Sequence, residues 1–553
     1  MKTRSVLVSF PGYRFTIQTL LPNHRLAALA AGLDEGGHTT CIRDYGTASM
    51  LDRLFPRKVQ STAQDISDRI LTSPSAGSLS TLTALWQLRG MDRTLRAHQE
   101  TVAAEIASEI AVEKGLDFVA LDIDQPEDLK GALTIAERLR SLKPALRLVV
   151  VGAFAEVYAE TLLRVCSVFD CVSVQDADWS LSRWAERLDR PDTWRLIPNL
   201  IYAQHGHIRP TAECVGLDLE ALPVPAYRDE IYPALAGHEK LCLLGVEASR
   251  GGAPETATRT RSPRVICDEI SHWIRARGTR AFRFLGPESP ASHVDALAYE
   301  ILSRGQTMWY SRVGAIHDTR LQSFSALRQS GCQAMAFDLG TGSQMLLDDF
   351  YGRGFLVSQA EQVVRACKLP GIFTATGFTY PCPADDYHTR AETLRFAERT
   401  RPDSAFVSLP SFAININERL ARRTFDVTPD QYIRHANSGR DRFSVPVFKN
   451  RGDGYFRHVR SLGDVLREND VLTRELAGIG ISTVLSPEAA LVARVCGYEG
   501  QEEDFNALFR QRLFAGDAAG VAGAVDRFNQ RVASSANMVA FKPFRPALAA
   551  VGN

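Results

Sequence analysis

Neither sign of charge dominates this 553-residue chain, in which 64 basic residues stand against 64 acidic ones. That balance excludes a general electrostatic claim on nucleic acid or on an anionic membrane. No apolar run reaches the length of a membrane-spanning helix. The opening residues, MKTRSVLVSFPGY, pass directly into a strand-like run and lack the pattern of a signal peptide. Ten cysteines are scattered without paired spacing, so the expectation is reduced thiols in the cytoplasm rather than a disulfide framework. The oligomeric state cannot be read from these features.

What is present is an ordinary globular composition, 45% hydrophobic and 23% charged, over a length that suits two or three domains. Four apolar, β-branched runs stand out early: SVLVSF at 5–10, DFVALDI at 117–123, LRLVVVG at 146–152 and DCVSVQD at 170–176. Helix-like segments separate them, the pattern of a parallel sheet with crossover helices. A short strand, HTTCIRDY, follows the first helix. Residues 49–114 read as a helical insertion, in which Trp86 reads as a core residue. From Leu241 strands and helices alternate again. LCLLGVEA, FRFLGP, TMWYSRV, AMAFDLG, FTATGFTYP and AFVSLP are the strands, with helices expected at 264–277, 291–304, 318–330, 357–368 and 388–400. The last hundred residues carry amphipathic helices. One of them starts at SPEA, with Ser486 as its cap and Pro487 in the first turn.

The segment 241–270, LCLLGVEASRGGAPETATRTRSPRVICDEI, resembles the start of the catalytic barrel in the cobalamin-binding radical S-adenosylmethionine (SAM) family. That family writes Ser-Arg-Gly-Cys-Pro, two further cysteines in C-x-x-x-C-x-x-C spacing, Arg-x-Arg-Ser-Pro, and a helix with Asp-Glu-Ile. Ser249, Arg250, Gly251, Arg259, Arg261, Ser262, Pro263, Asp268, Glu269 and Ile270 keep that frame. The three cysteine positions fall on Gly252, Thr256 and Arg259. A 4Fe–4S cluster needs thiolates on its irons, so the expectation is a barrel without a cluster. The N-terminal strands and the linker continue the resemblance, which runs from about Ser5 to about Phe412.

The resemblance implies an α/β chain of three parts and a linker. A Rossmann-like cobalamin-binding domain covers 1–205, a linker 206–240, a partial (β/α)6 barrel 241–440 and a C-terminal helical domain 441–553. The tail is expected to narrow the substrate opening. A doubly wound sheet binds its ligand beyond the carboxyl ends of its strands. The cobalamin-binding candidates are therefore Pro11, Gly12, Tyr13, Asp122, Asp124, Gly152, Ala153, Phe154, Gln175 and Asp176. The Asp-x-His-x-x-Gly signature of a cobalt-ligating histidine is absent; His24 and His38 are isolated, and no protein ligand to a metal is expected.

The family's F-G-I-E-S-G-S appears as Phe337 to Ser343, with Gly340 in the glutamate position. Its G-L-P-G-E-T reads Pro381 to Asp386. Both changes remove SAM contacts, so SAM binding is not expected. The candidate catalytic residues are Glu247, Arg250, Tyr310 and Asp338, at strand ends around the barrel mouth; Glu288, Arg312, His317, Tyr380 and Asp385 are further mouth candidates. The partner expected is a small molecule of specialised metabolism, with no nucleic acid and no membrane. Three functions stay open: a cobalamin enzyme independent of SAM, a polar methyltransferase working from SAM through methylcobalamin, and a non-catalytic cobalamin-binding protein.

Overall fold

The computed structural model describes residues 2–63, 78–214, 218–237, 239–251, 258–316, 323–412, 425–438 and 460–534, with backbone alone at 78–86 and 425–426. Trp86 and His317 therefore lie outside the described side chains. Two compact units emerge. The first comprises Met1–Cys242, Ser411–Leu466 and Ala507–Asp526; the second comprises Leu243–Pro410, Arg467–Asn506 and Arg527–Asn553.

The first unit is built on a seven-stranded sheet: β1 Arg4–Ser9, β2 Thr39–Asp44, β3 Phe118–Asp122, β4 Arg147–Val151, β5 Cys171–Ser173, β6 Leu200–Gln204 and β7 His207–Pro210. Its order is β2-β1-β3-β4-β5-β6-β7. The first five strands are parallel, as the continuous apolar runs require, and β6 and β7 add an antiparallel edge. Helix α1, His24–Glu35, starts where Asn23 accepts a hydrogen bond from the Leu26 amide. The insertion contributes α2, Ala48–Leu54, and the long α3, Ser78–Ala111.

Two sequence boundaries change. The expected end of the domain at residue 205 falls inside a hairpin, because His205 and Gly206, both at positive φ, make the turn between β6 and β7. The expected linker, 206–240, is part of the first unit. Tyr227, Tyr232 and Lys240 are buried there. Lys240 lies with its Nζ 2.6 Å from Asp44 and donates to the carbonyls of Gly46 at 2.9 Å and Thr19 at 3.1 Å. Tyr232 also donates to Asp44. A buried charge held this way is satisfied on every side.

The second unit begins with β8 Leu243–Glu247, followed by a two-residue hairpin of β9 Ser249–Arg250 with β10 Arg259–Thr260. Its further strands are β11 Ala281–Leu285, β12 Trp309–Val313, β13 Cys332–Gly340, β14 Phe373–Thr379 and β15 Ser404–Ser408. Apart from the hairpin, they form a six-stranded parallel sheet in the order β15-β14-β13-β12-β11-β8. The expected six βα strands are all present. Of the expected helix 318–330, the described part is Phe324–Gln329.

The tail is not a third body. The division between the units runs through it, at Leu466/Arg467, Asn506/Ala507 and Asp526/Arg527, each inside a helix. Nor does Pro487–Val495 narrow the mouth. Arg494 donates to the Gln333 and Gly371 carbonyls, at the amino-terminal starts of β13 and β14, so this helix closes the bottom of the barrel. Ser486 caps it through the Ala489 amide, as the SPEA segment predicts.

Replacing Lys240 with alanine strands Asp44 in the interior and is expected to destabilise the first unit by about 3–5 kcal/mol. Denaturant unfolding followed by intrinsic fluorescence measures this. The pair Lys240→Met with Asp44→Leu should recover most of the loss.

Candidate functional site

Sheet order turns around β1 in the first unit, with β2 on one side and β3 on the other. The ligand crevice of an open sheet forms at such a point. Asn23 and Arg25 from α1 reach into it. Asn23 donates to Asp122 at 2.5 Å, and Arg25 lies 3.7 Å from Asp122, 2.9 Å from Asp124 and 3.2 Å from Glu156. Burial pushes the Asp122 carboxyl up to about 7, against the pull of Arg25. Its Oδ1 has no hydrogen-bond partner among the described residues.

The other sequence candidates along this edge serve two roles. Pro11, Tyr13, Asp124, Ala153 and Gln175 are partly or fully exposed along the ends of β1, β3, β4 and β5. Gln175 and Asp176 both hold left-handed backbone, at φ 39° and 31°, a strain that clusters at ligand sites. Gly12 and Gly152 serve the chain itself. A Cβ at Gly152, φ 120°, would stand 2.3 Å from the Ile123 carbonyl, and one at Gly12 would meet Gln99. The close approach that a Cβ would obstruct at these two positions is to protein. Tyr13 is tied to Asp92 at 2.5 Å. Phe154 is buried in an aromatic cluster with Tyr158 and Tyr432. His24 bonds Tyr227 at 2.9 Å, and His38 bonds Thr3 at the opposite end of the sheet. An edge with exposed small and amide side chains fits a large ligand with polar substituents.

In the second unit the pleat sorts the side chains. Tyr310 and Arg312 point toward the helices: the Tyr310 hydroxyl bonds Ser330 at 2.7 Å, and Arg312 lies over Phe284. Tyr310 is 1% exposed and sits near the start of β12. It is removed from the catalytic candidates, because its strand position is one residue out of phase with the open face. Glu247, Arg283, Ser311 and Asp338 alternate onto that open face.

Glu247 and Arg250 meet in a two-pronged ion pair, at 2.7 and 2.6 Å. Behind them Arg261 donates to the Glu247 carbonyl at 3.1 Å and to the buried Glu269 at 2.7 Å. Asp338 accepts from Arg353 at 2.8 Å. Sequence reading missed Arg353; its signal was a lone arginine between Gly352 and Gly354, both at positive φ.

Polar residues at the positions aligned with the family's SAM contacts bond within the chain. Asp385 accepts from the Cys382 amide at 2.6 Å and the Thr389 hydroxyl at 2.8 Å, and Asp386 caps the helix Tyr387–Thr400. Gly340 has φ 79° beside the Tyr351 ring, so a glutamate there would be strained. Glu288 accepts from the Ile316 amide at 2.5 Å.

No family model and no curated protein matches the chain. Solved structures do. The radical SAM methyltransferase TsrM from Kitasatospora setae, with cobalamin and a 4Fe–4S cluster bound, superposes with a TM-score of 0.58 at 12% identity, over 95% of this chain and 100% of that one. TsrM with tryptophan substrate and the SAM analogue aza-SAM gives 0.54 at 12% identity, over 92% and 99%. The cobalamin-dependent radical SAM enzyme OxsB, with aqua-cobalamin and SAM bound, gives 0.50 at 13% identity, over 90% of this chain and 66% of that one. The chain has the fold of the cobalamin-dependent radical SAM enzymes.

That fold makes the cysteine positions comparable. Arg259, in the third position, is paired across the hairpin with Arg250. Gly252 and Thr256 lie outside the described residues. All ten cysteines are free and described, and no three His, Cys, Asp or Glu residues converge as a metal site among the described residues. Among the described residues no set of thiolates is gathered that would hold a 4Fe–4S cluster.

Asp122 also gives the first unit a pH dependence. The folded state holds its proton up to about pH 7, whereas an unfolded aspartate releases it near about 3.9. Its contribution to stability is therefore full below about pH 4 and is lost as the pH rises toward 7. Asp122→Asn should flatten this decline, which amounts to at most about 1.4 kcal/mol per pH unit. Denaturant midpoints of both proteins across that range measure it.

Proposed function

We propose that this chain is a cobalamin-dependent enzyme that works without an iron–sulfur cluster and without SAM, on a small organic substrate. The observation that carries the reading is the hairpin Ser249–Thr260. Its sequence keeps Ser249, Arg250, Gly251, Arg261, Ser262 and Pro263 of the cluster-loop frame, no cysteine stands between them, and no three metal-ligating side chains converge among the described residues. Cobalamin would rest on the strand-end edge formed by Pro11, Tyr13, Asp122, Asp124, Ala153, Gln175 and Asp176, without a histidine on the cobalt. When bound, it supplies a cobalt–carbon bond for methyl or alkyl transfer.

The chain's own residues do the rest. The Glu247 carboxylate, held by the Arg250 fork, is an oriented proton acceptor at the end of β8. Asp338 and Arg353 present a second charged pair at the end of β13. Gly245 and Ala336, two residues before Glu247 and Asp338 on the same face, add no bulk beside the two pairs. Polar groups on an open face support an enzyme over a non-catalytic binding protein.

Adding cobalamin to the purified protein should give a bound corrin spectrum that is the same in the wild type, His24→Ala and His38→Ala. No binding at all would end this reading. A nitrogen-coordinated spectrum lost in either variant would overturn the absence of a histidine ligand.

SAM is expected to bind weakly or not at all, and no 5′-deoxyadenosine should form under reducing conditions. Removing one charge-assisted hydrogen bond costs about 1.5–3 kcal/mol, roughly ten- to a hundredfold in affinity. Calorimetric titration of the cobalamin-loaded protein checks this. Low-micromolar affinity for SAM would favour the polar methyl-transfer reading instead.

A further inference from the structure

Asp338, Gly377 and Phe406 are register neighbours across β13, β14 and β15, on the face that the helices leave uncovered. Their outward-turned neighbours Phe337, Thr376 and Ala405 are fully buried. Gly377 has no side chain to fill the middle of this row, and the Phe406 ring leans into the gap. A Cβ on Gly377 would stand 2.8 Å from Phe406 Cε2, 3.0 Å from Cζ and 3.5 Å from Asp338 Oδ1. One face thus carries a carboxylate and an aromatic ring side by side.

Both groups are open. The Asp338 side chain is 60% exposed and Phe406 is 40% exposed. Arg353 engages Oδ2 of Asp338, at 2.8 Å; Oδ1 accepts no hydrogen bond among the described residues and lies on the Gly377 side. The segment that brings Arg353 there is a π-turn, Leu347–Tyr351, followed by left-handed Gly352 and Gly354. Such turns are frequent at functional sites. Tyr351 pins it by donating to the Thr379 carbonyl at 3.2 Å.

We propose that this row is a substrate subsite for a flat aromatic ring bearing an amine, with the ring stacked on Phe406 and the ammonium bonded to Asp338 Oδ1. The chemistry follows from the pairing. A ring face attracts a second ring or a cation, and a carboxylate oxygen with spare lone pairs takes an N–H donor. Arg353 is a positioning residue: it fixes the carboxylate plane from the Oδ2 side. Gly377 sets the depth of the subsite, because any larger residue displaces the ring.

This inference rests on the barrel being the substrate chamber, but not on cobalamin. Its test therefore runs on the full chain both without and with cobalamin, whose binding is read separately from its absorption spectrum. The probes are benzylamine, phenylacetate and cyclohexylmethylamine in calorimetric titrations. Benzylamine should bind with a dissociation constant of about a millimolar, as a fragment of that size allows. Phenylacetate should bind at least about tenfold more weakly, and cyclohexylmethylamine several-fold more weakly. Asp338→Asn should weaken benzylamine by about tenfold or more, and Phe406→Ala and Gly377→Ala by several-fold. Thermal melting confirms that each variant folds; where Asp338→Asn does not, Gly377→Ala and Phe406→Ala decide. Equal binding of benzylamine and phenylacetate, tighter binding of phenylacetate, no benzylamine binding at tens of millimolar, or full binding by the folded variants would each overturn the subsite.

Discussion

Helices cover one face of each strand in the second sheet, and the pleat then decides which side chains are left for chemistry. Glu247, Asp338 and Phe406 fall on the uncovered face; Tyr310 and Arg312 fall on the other. A one-residue change of phase would exchange the two sets. The buried set, in which Phe282, Phe284 and Phe337 flank Tyr310 and Arg312, holds the helices, and the open set is polar enough to hold a ligand.

The same economy governs the loop after β8. A loop built to carry a cluster is organised by the metal it binds. Here the described residues around the loop are held by protein contacts: a short antiparallel ladder, the Glu247–Arg250 fork, and the Arg261–Glu269 pair buried behind it. Burial raises the Glu269 carboxyl's pKa, and Arg261 opposes that shift. Two arginines, Arg250 and Arg259, stand directly across the ladder, where like charges repel. The fork to Glu247 offsets part of that repulsion.

Much of this was legible in the sequence. The parallel strands of the two sheets follow from runs such as LRLVVVG, too apolar for a half-exposed strand, and the absence of cysteine at the three positions counted from Arg250 is visible in the sequence. The phase of Tyr310 was not legible, because a tyrosine in a strand suits either face until its neighbours' partners are known. Nor was the role of 206–240. Lys240 looks like a surface residue by type, and only Asp44 and Tyr232, distant in sequence, reveal it as buried. Arg353 and Phe406 were missed for the same reason. Their meaning depends on what stands beside them in three dimensions, and Gly377, which makes room for the ring, carries no chemical signal itself.

Cobalt, not iron, is the metal proposed for this scaffold. Metal analysis separates the two when the full chain is produced with cobalamin supplied and then subjected to anaerobic iron and sulfide reconstitution. Stoichiometric cobalt, with iron and acid-labile sulfide at background, is the expected result. About four irons per chain with matching sulfide, the content of a 4Fe–4S cluster, would contradict it.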